Sequence, residues 1–304
     1  MKRRNLIRRL KSFVRFAPGP SIDLHTHSNM SDGTMSPSEL VQHASTIGLR
    51  AIALTDHDTL DGLEPANLAV KEFELDLEVV PGVEISAEYD YGILHLLGFF
   101  VRPDDSELQK SLNFLRIQRQ SRISRILSKL AAQNVFIREE EVKKAATGGV
   151  PGRPHLASLM FRKGYVKTMQ EAFDRYLKKG GCAYVPKVKL PAHKALQLIK
   201  SAGGIPVIAH PYSLNQDDPD RFEEVLLSLI GIGLQGIEAY YPKHTKEQIR
   251  MYVRLASKFD LVVTGGTDFH GANKPGVKLG EFPDRPPLPY FLLDEMKKRL
   301  VTRH

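Results

Sequence analysis

The chain has 304 residues, 42% of them hydrophobic and 26% charged, with a net charge of +8. That is the composition of an ordinary globular protein, long enough for one large α/β domain with an insertion or for two domains, and its basic balance suits anionic substrates or nucleic acid. No apolar run reaches the length of a membrane span, the N-terminus lacks the apolar core and cleavage site of a secretory signal, and a single cysteine, Cys182, excludes an intrachain disulfide, which fits a cytoplasmic protein.

Residues 1–20 are rich in Lys and Arg with scattered apolar positions and end at Ala17-Pro18-Gly19-Pro20. They read as a basic N-terminal extension. From 21 to about 100 strands alternate with helices. Ser21–His27 is a strand. Ser36-Pro37-Ser38-Glu39 opens a helix, with Ser36 as cap, Pro37 at the first helical position and Glu39 closing the capping box. Ala51–Thr55 is a short apolar strand ending in Asp56-His57-Asp58, and a helix covers Leu63–Leu75. Leu77–Pro81 reads as a strand, Gly82–Ser86 as a bend and continuation, and Gly92–Phe100 as a strand broken only by His95.

Residues 104–186 read as an inserted helical subdomain. A long helix over 104–133 carries Arg116, Arg119, Arg122 and Arg125 at helical spacing. Such a basic face is ordinarily solvated, although over a phosphate site it can guide RNA. Helices over Gln133–Ala145 and 168–178 flank the loop and helix start Gly152-Arg153-Pro154-His155. The alternation then resumes: helix Ala192–Ser201, strand Ile205–Ala209, helix Pro219–Gly231, strand Gly236–Tyr240, helix Lys246–Phe259 and strand Leu261–Thr264. Repeated strand–helix units predict a parallel sheet, open or closed into a barrel.

In such folds the functional residues gather where strands end. His25 and His27, two apart on the first strand, point to one face, and Asp32 follows on an Asp-Gly turn. His57, Glu84, His95, His210, Asp268 and His270 also fall at or beside strand ends. One imidazole in an apolar strand is usually a hydrogen-bonded core residue; six of the eleven histidines at equivalent places are not. Nine nitrogen and oxygen ligands exceed what one ion takes. About three divalent ions and three carboxylates would leave positive charge for a phosphate ester and a hydroxide. A donor set without thiolate suits Mn²⁺, Zn²⁺ or Fe²⁺, with Mg²⁺ a further option.

The ordered segments DLHTHSNMSDGTMSPSEL, ALTDHDTLDG, PGVEIS, LHLLGF, IAHP and TDFHG resemble the PHP (polymerase and histidinol phosphatase) family of metal-dependent phosphoesterases, over residues 21–100 and about 187–280. The resemblance implies a distorted (β/α)7 barrel over 21–103 and 187–304, with the insertion 104–186 roofing a trinuclear site. It implies His25, His27, Glu84 and Asp268 on one metal, Glu84, His95 and His210 on a second, and Asp32, His57 and His270 on a third. His210 and Asp268 are the expected catalytic residues. GRPHLA, AFDRYLKKGG and AYVP are similar to a bacterial branch with nucleoside 3′,5′-bisphosphate phosphatase and 5′-to-3′ exoribonuclease activity. That implies a phosphorylated nucleotide or short RNA as substrate, attacked by a metal-bridging hydroxide, with Arg153 and His155 facing it. Lys243 and His244 are further candidates from the loop after GIEAYY. The alternatives are a small-metabolite monophosphatase (AMP or histidinol phosphate), a non-catalytic nucleic-acid-binding barrel, and an amidohydrolase with a bridging lysine in place of Glu84. No protein partner is implied.

Overall fold

The computed structural model describes residues 21–146, 151–283 and 285–301. The N-terminal extension 1–20 lies outside them. Seven strands form the ring: β1 (Ser21–Thr26), β2 (Leu49–Leu54), β3 (Glu78–Ala87), β4 (Leu94–Phe99), β5 (Ile205–Ile208), β6 (Gly236–Tyr240) and β7 (Val262–Gly265). They are neighbours in chain order, and a two-residue strand, β8 (Leu288–Pro289), lies antiparallel on the outer side of β1. Just past β7 the chain closes the ring on β1. Thr26 bridges Phe269, the His27 amide donates to the Phe269 carbonyl at 2.9 Å, and the Asp268 amide to that of His25 at 2.8 Å. The result is a nearly closed α/β barrel.

The sheet is not wholly parallel. β4 runs antiparallel to both β3 and β5. β3 is one continuous strand, where the sequence suggested a bend at Gly82. It pairs with β2 through Glu78–Pro81 and with β4 through Gly82–Ala87. Gly82 marks the change of partner: a Cβ there would stand 2.8 Å from Thr55 Cγ2 and 3.0 Å from the Leu54 carbonyl oxygen. Reversal of β4 also explains His95. The start of β4 lies at the end of the barrel where the parallel strands finish, so His95 pairs with Ser86 and joins the other strand ends.

Helices pack outside the barrel through apolar stripes. In α1 (Pro37–Thr46) the buried side chains are Pro37, Leu40, Val41 and Ala44, and the Ser36–Glu39 capping box forms as the sequence predicted. The others on this layer are α2 (Leu63–Glu72), α7 (Ala192–Ser201), α8 (Pro219–Gly231), α9 (Lys246–Lys258) and α10 (Phe291–Val301). The last, with β8, lies beyond the last element expected from the sequence.

Between β4 and α7 lie α3 (Ser106–Ala131), α4 (Glu139–Ala145), α5 (Arg153–Arg162) and α6 (Met169–Ala172). α6 widens into a π-helical turn over Phe173–Leu177, and α4 begins later than the sequence suggested. These elements build a second apolar cluster, including Ile126, Leu130, Leu156, Met160 and Leu177. α3 belongs to both clusters. Leu108, Leu112 and Leu115 pack into the barrel core, and Ile123, Ile126 and Leu130 into the second. The arginine face of α3 is only partly solvated: Arg119 and Arg122 are buried, at 8% and 6% exposure.

Candidate metal centre

β1 places His25 and His27 inward at the barrel mouth, and both are wholly buried. Gly266 makes room for His25, since a Cβ there would lie 2.3 Å from the His25 backbone nitrogen. Glu84 on β3 sits at the middle. Its Oε2 lies 3.4 Å from His25 Nε2, 3.2 Å from His27 Nε2 and 3.1 Å from His57 Nδ1. Its Oε1 lies 2.7 Å from His95 Nδ1 and 3.1 Å from His210 Nε2. Asp268 Oδ1 stands 3.6 Å and 3.3 Å from the Nε2 atoms of His25 and His27. Asp32 Oδ1 is 3.2 Å from His270 Nε2, and its other oxygen is 4.0 Å from His57. All nine sequence-predicted metal ligands therefore meet in one place.

Within that cluster the donor atoms of His25, His27, Glu84 and Asp268 lie within 4.8 Å of one another, as do those of His27, Asp32, His57 and His270, and those of His57, Glu84 and His95. His27 and His57 are thus shared between groups more freely than the sequence assignment has them, and His210 enters through Glu84. The groups fit divalent ions on a physical test. Buried His25 Nε2, His27 Nε2, His57 Nδ1 and Asp32 Oδ1 have no hydrogen-bond partner. An unpaired buried polar atom is costly, and here four point toward one volume.

The protein wall fixes which ring nitrogen faces in. Glu238 on β6, fully buried, accepts from His25 Nδ1 at 2.9 Å and from the His210 backbone amide at 2.5 Å. Ser31 donates to Asp56 at 2.6 Å, which leaves its oxygen to accept from His27 Nδ1 at 3.4 Å. Ser213 donates to the Ile93 carbonyl and accepts from His210 Nδ1 at 3.0 Å. His270 Nδ1 donates to the Asp268 carbonyl at 2.8 Å. Four histidines thereby turn Nε2 and its lone pair inward, the outer support characteristic of metal-binding imidazoles. Sequence reasoning missed Glu238, Asp56 and Ser213; the one visible signal was a lone carboxylate inside the apolar strand GIEAYY.

The charges are strongly coupled. Burial alone would raise Glu84, but His57, His95 and His25 outweigh it and hold the carboxyl well below its usual range. Asp32 is held down against burial by His57 and His270, and Asp268 by Lys274 and His25. His27 is lifted, against burial, to about 9 by Asp268 and Glu84. Burial pushes His57 and His95 down. Asp268 also accepts from Tyr241 at 3.0 Å and ion-pairs with Lys274. Asp58, His210 and Asp268 hold positive φ angles of 58°, 27° and 56°, strain of the kind found where surrounding contacts over-determine a site.

The predicted substrate residues divide. Arg153, half-buried at the start of α5, donates to the Leu177 carbonyl at 3.0 Å. His155 is buried and its Nδ1 accepts from the Gly152 amide at 2.9 Å, so Nε2 carries the proton. It feels the charge of Asp32. Lys243 is exposed, 5.9 Å from the Tyr212 ring. His244 is not on a solvated loop: it is buried among Tyr212, Tyr241 and Tyr252, donates to the Ala239 carbonyl, and is pushed by burial down to about 3.

The family model for the PHP domain matches residues 23–181, more than half the chain. The chain belongs to the PHP family. A 5′-3′ exoribonuclease of Haemophilus influenzae is 35% identical over 251 residues, covering 82% of this chain and 89% of that one. A 3′,5′-nucleoside bisphosphate phosphatase of Chromobacterium violaceum is 28% identical over 284 residues, covering 92% and 98%. A crystal structure from Bifidobacterium adolescentis, named as a metal-dependent phosphoesterase, superposes with a TM-score of 0.81 at 30% identity, covering 93% of this chain and 98% of that one. This PHP chain is a phosphoester hydrolase, and its His/Asp/Glu cluster is able to bind metal ions. Among the described residues no helix is long and apolar enough to cross a membrane.

Proposed function

We propose that this PHP enzyme removes the 5′-phosphate of nucleoside 3′,5′-bisphosphates, or trims short 5′-phosphorylated RNA from its 5′ end. The single observation that carries the reading is the convergence of nine imidazole and carboxylate side chains, with orphaned donor atoms, at the mouth of the barrel. His25, His27, Asp32, His57, Glu84, His95, His210, Asp268 and His270 would hold three divalent ions, Mn²⁺ foremost. Bound there, such ions supply Lewis acidity that makes water nucleophilic at neutral pH and neutralises phosphoryl oxygens. The protein's own part is positional. Glu238, Ser31 and Ser213 lock imidazole orientation. Tyr241 holds Asp268 in place. His210 and Asp268 are the residues to which this reading gives the handling of a proton at the reacting phosphate. Arg153 and His155 Nε2–H face the substrate from the insertion, which roofs the site, and a guanidinium fork suits a phosphate that is not cleaved.

The test is phosphate release from adenosine 3′,5′-bisphosphate with Mn²⁺, alongside AMP and 5′-phosphorylated oligonucleotides. The wild type should prefer the substrates that carry a second phosphate. The His25→Ala/His27→Ala double variant should lose at least about a hundredfold in turnover; full activity in that variant would refute the assignment.

A further inference from the structure

We propose that Asp56 is a positioning residue of the metal centre: through Ser28 and Ser31 its carboxylate sets the loop that carries Asp32, and so governs the ion held by His27, Asp32, His57 and His270 without ligating it. The inference rests on the metal-centre reading above and adds a residue to which that reading gave no role.

Asp56 is buried just past the end of β2. Its Oδ1 accepts from the Ser28 amide at 2.8 Å and from Ser31 Oγ at 2.6 Å, and its Oδ2 accepts from Ser28 Oγ at 2.6 Å. These donors belong to one short loop, which begins after His27 and ends at Asp32. Ser28 Oγ also accepts from the Met30 amide at 3.2 Å, and the Ser28 carbonyl accepts from the amides of Ser31 and Gly33 at 3.2 Å and 3.0 Å. Gly33 permits this tight return, since a Cβ there would stand 2.3 Å from the His27 carbonyl oxygen. The loop is thus wrapped around one carboxylate. A buried carboxylate must have its oxygens satisfied, so loop and Asp56 hold each other in place.

Asp32 has little else to fix it. Its Oδ1 is buried without a hydrogen-bond partner, and the groups within 4.0 Å of its carboxylate are the imidazoles of His27, His57 and His270. Its backbone is tied by one further bond, from Asn273 Nδ2 to the Asp32 carbonyl at 2.8 Å. The other two ligand groups draw their carboxylates from elsewhere. Glu84 stands on β3, and Asp268, after β7, is held by Tyr241 and Lys274. His27 is shared, but its amide is fixed to the Phe269 carbonyl. Asp56 also receives the Glu84 amide, at 3.2 Å, but through its backbone carbonyl, which a side-chain substitution leaves in place. Removing the Asp56 carboxylate therefore loosens one metal-ligating carboxylate and spares the other two.

The test counts ions before it measures turnover. Full chains of wild type, Asp56→Ala, Asp56→Asn and, as reference, Asp32→Ala are loaded with Mn²⁺, freed of unbound metal by gel filtration and analysed for Mn²⁺ per chain. Asp56→Ala should hold one ion fewer than wild type, as Asp32→Ala does. Asp56→Asn should keep the wild-type count, because its amide oxygen can accept from Ser28 and Ser31 while its NH2 donates to Ser28 Oγ. With p-nitrophenyl phosphate, the Mn²⁺ concentration for half-maximal activity should rise at least about tenfold in Asp56→Ala. Its kcat should return at saturating Mn²⁺, whereas that of Asp32→Ala, which lacks the ligand itself, should stay low. A wild-type count with unchanged half-activation in Asp56→Ala would overturn the proposal, and so would loss of every ion, which marks general collapse. Should Asp56→Ala fail to fold, Ser28→Ala and Ser31→Ala decide. Each removes one donor, and a half-activating concentration raised about threefold supports the clamp; no change in either overturns it. A wild type that retains no Mn²⁺ refutes the metal-centre reading itself, whereas a loaded wild type beside an unaffected Asp56→Ala refutes the clamp alone.

Discussion

Glu238 is fully buried on β6, where it orients His25 and accepts from the His210 amide just past β5. Glu238→Ala leaves two buried N–H groups without an acceptor. We expect a loss of about 1–3 kcal/mol in denaturant unfolding and a Mn²⁺ affinity weaker by roughly 10–100-fold in calorimetric titration. Lys187 gives a pH signature. Burial first, then Arg119, lowers it from an ordinary 10.5 to about 8, against the pull of Asp58 and Asp32. Between those values the unfolded chain holds a proton that the folded one has released, so stability rises with pH across that window. The unfolding free energy of wild type minus Lys187→Met should therefore grow from pH 8 to 10.5, by at most about 3 kcal/mol; a flat or falling difference would contradict the shift. At this scale the sequence was legible where chemistry-bearing residues stood at strand ends. It was opaque for Glu238, a single carboxylate with no motif, and for Arg119 and Arg122. Helical spacing shows which residues share a face but not what covers it.

At the scale of elements, α1, α7, α8 and β6 were readable to within a residue because caps, Gly stops and apolar runs agree. The reversal of β4 was not, because apolar strands of either direction carry the same pattern. Its direction is set by tertiary pairing on both edges. Close approach between elements was equally hidden. Gly266 lies against the backbone of His25, where a methyl group cannot fit without moving β1 or the turn after β7. We expect Gly266→Ala to cost about 1–3 kcal/mol and to weaken metal binding, since the residue displaced is a metal-ligand candidate. Thermal unfolding and Mn²⁺ titration of the same variant check both parts.

For the whole molecule, the centre concentrates imidazoles and acids that would repel or stay unpaired without cations. Ions that bind only the folded chain stabilise it by mass action, about 2.7 kcal/mol at a hundred times Kd. Chelation should then lower Tm by several degrees, and Mn²⁺ should restore it; an unmoved Tm would argue against ions at this cluster. The family-level architecture was legible because six separate segments had to fall in order. The partition between barrel and insertion was blurred, because α3 serves both.

That shared helix has a mechanical consequence. A continuous 26-residue rod is about 39 Å long, anchored by leucines at one end and by isoleucines and Leu130 at the other. Between Ser106 and Ala131 no loop separates the two clusters, so any movement of one against the other must strain this helix. Softening it at exposed Gln120 with glycine, at a local cost of about 1 kcal/mol, should uncouple the two ends and speed amide hydrogen exchange in residues 121–131.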